Sequence, residues 1–71
     1  MKTSRTQNIV RGALHRRGLT VREGCRLACI AVSTYCDHAR ADALTQDEIR
    51  RLDHVARFYD GEIIELIRGK S

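Results

Sequence analysis

At 71 residues the chain has room for one domain, 1–71 with an ordered core over about 4–68, small enough that packing quality or a partner subunit decides its stability. No apolar run approaches the length of a membrane span, and the opening MKTSRTQN lacks the apolar segment of a signal peptide, so a cytoplasmic protein with no membrane association is expected. Charge divides unevenly: residues 1–40 carry eight Lys/Arg against Glu23 and Asp37, a balance of +6, whereas residues 41–71 carry five against seven acids, a balance of −2.

Proline is absent and no stretch alternates with the period of a strand, which leaves the all-α class. Ser4 with Gln7 forms a capping box, a side chain and a backbone N–H satisfied reciprocally, and predicts a helix over 5–17. Ile9, Val10, Ala13 and Leu14 make its apolar stripe, and Arg5, Arg11, Arg16 and Arg17 fall mostly off it. Gly18 supplies the left-handed residue that stops the helix, with Leu19 folding back as its apolar partner. Thr20 with Glu23 is the second box and starts a helix at Val21 that runs to about Ala28. Cys25, Leu27 and Ala28 are its expected buried residues, and Gly24, a poor helix former, marks a close contact with another helix.

Residues 31–33 must re-aim the backbone into a third helix over about 32–39. It is expected to bury Tyr35 and Ala39 and to turn Ser33, Thr34, Cys36, Asp37 and Arg40 outward. After a loop over 40–44, Thr45 with Glu48 is the third box, and Leu44 with Ile49 has the spacing of a hydrophobic staple. The helix that follows is predicted over 46–59, its stripe being Ile49, Leu52, Val55, Ala56 and Tyr59. A closing helix over 62–68 carries Ile63, Ile64, Leu66 and Ile67 on more than one face. An apolar edge is therefore left outward, and Ile63, Ile64 and Ile67 are the expected contact of a homodimer.

Three cysteines are an odd number in a chain with no secretory signal, which argues against a disulfide framework. Cys25 and Cys29 lie four apart and His15, His38 and His54 are available, so zinc is conceivable, but the paired short-loop spacing of structural zinc sites is absent. No metal and no cofactor are expected.

Two short helices joined by three or four residues cross steeply and leave the second free to project, the arrangement of a helix-turn-helix. It lies in the basic half, and a basic face on a small domain is the electrostatic footprint of a nucleic-acid binder. Double-stranded DNA is the expected partner, read through Val32, Ser33, Cys36, Asp37 and Arg40. Arg16, Arg17, Thr20, Arg22, Arg26 and Thr34 are the expected phosphate contacts. Asp37 repels the phosphate backbone unless it meets a cytosine amino group or is tied to Arg40 or the first helix.

Leu19, Thr20, Glu23, Leu27, Ile30 and the Ser33-Thr34-Tyr35 triplet, followed by Leu52, Val55, Ala56, Tyr59 and Leu66, resemble the Cro and phage-repressor type of helix-turn-helix protein. The resemblance implies a five-helix, lambda-repressor-like domain. It also implies a sequence-specific transcription regulator of phage or mobile-element type that binds a symmetric operator as a dimer. Two positions depart from that pattern: Gly24 stands where a larger apolar residue is usual, and Cys29 stands where the turn normally has glycine. A shorter likeness, over GCRLACIAVSTYCDHAR, is to the N-terminal helix-turn-helix of insertion-sequence transposases. The competing class is a helix-turn-helix-shaped interaction module with a protein partner, acting as an antiactivator or inhibitor, which the acidic second half and Asp37 favour. An enzyme is not expected: there is no glycine-rich phosphate loop and no nucleophile with a paired base.

Overall fold

Five helices make up the described residues, 4–68, of the computed structural model: α1 (Arg5–Arg16), α2 (Val21–Leu27), α3 (Val32–Arg40), α4 (Gln46–Ala56) and α5 (Asp60–Arg68). No strand occurs among the described residues, and the termini of the expected 1–71 domain lie outside them. Each capping box closes. The Ser4, Thr20 and Thr45 hydroxyls each accept the N–H three residues on at 3.1 Å, and Gln7, Glu23 and Glu48 each accept the N-cap N–H at 2.9–3.0 Å.

The first three helices also end by a common device. A left-handed residue follows each of them, Gly18 (φ 72), Cys29 (φ 59) and Asp42 (φ 53). The next N–H reaches back to the carbonyl of Leu14, Cys25 and His38, respectively, at 2.8–2.9 Å. This is the Schellman closure, and it satisfies carbonyls that a helix end would otherwise strand. Glycine at residue 18 adopts the conformation without cost, whereas Cys29 and Asp42 carry it with a Cβ.

Helix α1 packs against each of the other four, α2 packs on α3 and α4, and α4 packs on α5. The core fills the space between them with Val10, Leu14, Tyr35, Leu44, Leu52 and Leu66, each at most 2 % exposed. A Cβ placed on Gly24 would lie 2.6 Å from both Leu14 methyl carbons, so the glycine is what lets α2 lie this close to α1. Two further bonds fasten the start of α1 to the end of α3: the Ser4 hydroxyl donates to the Ala39 carbonyl, and the Asp42 carboxylate accepts the Thr6 N–H at 2.9 Å.

Four expectations are corrected. Leu27 is 62 % exposed, not buried, because Gly24, Cys25 and Ala28 set the inward face of α2 and Leu27 lies one helical step, about 100°, beyond Ala28. Helix α4 ends at Ala56 and not at Tyr59: Arg57 turns left-handed (φ 53), and the Asp53 carboxylate takes the Phe58 N–H at 3.1 Å. Phe58 thereby enters the core, Tyr59 is left exposed, and α5 begins at Asp60.

Candidate nucleic-acid interface

Helix α3 is anchored from one side. Tyr35 and Ala39 are buried, while Ala31, Val32, Ser33 and Thr34 stand exposed at its start. Its N-cap, Ala31, offers no side-chain bond, so the N–H groups of the first turn have no side-chain cap. Ser33, Asp37 and Arg40 are exposed at steps of four and three and share one stripe with Val32 beside it. Cys36, expected on that outward face, is instead half-buried and packs against the core, which removes it from the reading set. Asp37 pairs with neither Arg40 nor α1 among the described residues.

The arginines fall into two groups. On the α5 side they are neutralised: Arg5 reaches Glu65 at 3.0 Å, and Arg16 grips Glu62 through both terminal nitrogens at 2.9 and 2.8 Å. The Arg16 guanidinium also lies 4.2 Å from the centre of the Tyr59 ring, a cation–π contact. Arg16 therefore leaves the phosphate set, since its charge is neutralised by the bidentate pair with Glu62. Arg11, Arg17, Arg22, Arg26 and Arg40 are exposed and have no carboxylate partner among the described residues. Arg50 and Arg57 on the other side of the sequence divide also have no carboxylate partner among the described residues.

Four carboxylates are held by specific partners. The Thr20 N–H holds Glu23 below the ordinary carboxylate range, and the Thr6 N–H does the same for Asp42. Burial works against ionising Glu48, but the Thr45 N–H and the His38 ring outweigh it and its carboxyl also titrates low. The Arg16 guanidinium holds Glu62 low against the opposing effect of burial. These acids are bonded at helix ends and in internal pairs and keep their negative charge; on α2 and α3 themselves Arg22, Arg26 and Arg40 outnumber Glu23 and Asp37.

Arg11 was not singled out in the sequence as a phosphate contact. It lies near enough to the Tyr35 hydroxyl to oppose the strong upward push that burial gives that group, which brings a cation of α1 beside α3. Thr20 is occupied as the α2 cap through its oxygen, leaving its hydroxyl proton to donate, and Thr34 is exposed. On the opposite side, Ile64 and Ile67 are 52 % and 48 % exposed, whereas Ile63 turns partly inward against the core. Ile63 and Ile67 join Gln46, Ile49, Arg50 and Asp53 around a groove of about 260 Å³ between α4 and α5.

Among the described residues no group of three or more His, Cys, Asp or Glu side chains is placed to hold a metal ion. Nor is any described helix long and apolar enough to cross a membrane. No family model, curated protein or solved structure matches the chain.

Proposed function

We propose that the protein is a small, cytoplasmic, sequence-specific DNA-binding transcription regulator of the Cro and phage-repressor type. In this reading α2 and α3 act as its helix-turn-helix, within a lambda-repressor-like domain. The observation that carries the reading is the exposed, uncapped first turn of α3 beside arginines that have no carboxylate partner among the described residues, while Arg5 and Arg16 on the α5 side are neutralised. A helix so presented fits the DNA major groove.

There Arg40 suits the acceptors of a guanine, Asp37 the amino group of a cytosine, Ser33 either edge, and Val32 a thymine methyl. Arg17, Arg22 and Arg26, joined by Arg11, hold phosphates, and the Thr20 and Thr34 hydroxyls donate to phosphate oxygens. Such contacts fix register without reading sequence. The exposed Ile64 and Ile67 and the groove beside them serve a second copy, setting two α3 helices about 34 Å apart on a two-fold symmetric site.

A salt titration of binding to random-sequence duplex tests the reading. Affinity is expected to fall steeply and log-linearly with salt, and Arg22→Ala or Arg26→Ala should weaken all sequences alike while reducing the slope by about one. Absence of binding at low salt overturns the DNA reading. A changed sequence preference in either variant overturns the placement of α2 on the phosphates.

A further inference from the structure

The three capping boxes are not equivalent. Gln7 and Glu23 serve their own helix starts from half-buried and exposed positions, whereas Glu48 is only 7 % exposed and has a second partner in another helix. Its two oxygens lie 2.8 and 2.9 Å from Nδ1 of His38, in the last turn of α3, while Oε1 also accepts the Thr45 N–H at 2.9 Å. An ionised carboxylate only accepts, so the Nδ1 proton points at Glu48. This bond matters because the backbones of α3 and α4 do not otherwise approach one another closely: α3 rests on α1 and α2. Ser4 fastens α3 to α1 through the Ala39 carbonyl, and His38 fastens it to α4 one residue earlier.

We infer that Glu48 is a positioning residue for DNA reading: from the start of α4 it holds His38 and so fixes the angle at which α3 presents Ser33, Asp37 and Arg40. The inference rests on the DNA reading above. Glu48 is buried on another helix, so it acts through His38 and not by touching the duplex. Losing the clamp leaves the arginines on α1 and α2 in place, so the cost falls on base reading and not on phosphate attraction.

The probes are a duplex selected from a random pool by the wild-type protein and a random-sequence duplex of equal length. The proteins are wild type, Glu48→Gln, His38→Ala and the double variant, each measured at a temperature where circular dichroism shows it folded. Glutamine keeps the α4 cap, as Gln7 does in α1, but it turns a charge-assisted bond into a neutral one. Each single variant is expected to bind the selected duplex about tenfold more weakly. The double variant should lose no more than either single, and the random duplex should be bound as before. A purely structural role moves the melting temperature and leaves this ratio of affinities unchanged. The inference is overturned if the selected duplex is bound equally by all four proteins, if His38→Ala alone weakens binding, or if the two losses multiply in the double variant. A wild-type protein that selects no duplex brings down the DNA reading itself, and this inference with it.

Discussion

Two residues show how local backbone demands and side-chain space pull in opposite directions. Cys29 holds a left-handed conformation with an exposed side chain, so its Cβ is strained and its thiol contributes little packing. Cys29→Gly is expected to raise stability by about 0.5–1 kcal/mol, the left-handed strain outweighing the greater freedom of glycine in the unfolded chain. An unchanged or lower midpoint in urea unfolding would contradict this. Gly24 is the reverse case: alanine is the better helix former by about 1 kcal/mol, yet its methyl would meet the fully buried Leu14. Overpacking of about 1–3 kcal/mol should win, so Gly24→Ala is expected to destabilise, and a stabilised variant would show that Leu14 has somewhere to turn. Both positions were legible as exceptions, Gly24 as a close contact and Cys29 as a non-glycine in a glycine place. Cys36 was not, because helical spacing alone could not tell the edge of the core from the outward stripe.

The starts of α1, α2 and α4 were read to the residue because each is announced by a hydroxyl and a partner three positions on. The boundary between α4 and α5 was missed because Arg57, with neither glycine nor proline beside it, takes the left-handed turn, and Tyr59 continues the apolar spacing past the true end. Depth is equally hard to read: nothing in a capping pattern distinguishes the buried, doubly bonded Glu48 from the exposed Glu23. The caps have a measurable consequence. Glu23, Asp42, Glu48 and Glu62 titrate below their ordinary values when folded, so the unfolded chain binds more protons as pH falls. Their stabilisation is complete above the ordinary carboxylate range and is lost as pH drops through the depressed folded values. The melting temperature is therefore expected to hold level above about pH 5 and to fall between roughly pH 5 and pH 3. A melting temperature constant down to pH 3 would show that these carboxylates do not support the helix ends.

Across the whole molecule, the uneven charge along the sequence becomes an uneven surface through pairing. Glu62 and Glu65 neutralise Arg16 and Arg5 on α1, which no count of charges along the chain could foresee, while Arg11, Arg17, Arg22, Arg26 and Arg40 have no carboxylate partner among the described residues. The all-α class and the five helices were legible in the sequence; the pairing that selects which arginines stay available was not. The apolar edge of α5 belongs to this scale as well. If it meets a second copy, sedimentation across micromolar concentrations should show self-association that Ile64→Glu or Ile67→Glu abolishes without unfolding, since both side chains are about half exposed. A wild-type monomer throughout would remove the dimer and leave each domain to bind alone. The claim that α3 reads the duplex with α2 on the phosphates is tested most directly by titrating duplex DNA into the isotopically labelled protein and following backbone amide shifts. The largest changes are expected over residues 31–40 and 20–26, with smaller ones near Arg11 and Arg17. Changes centred instead on the α4–α5 groove, with residues 31–40 unmoved, would contradict the account.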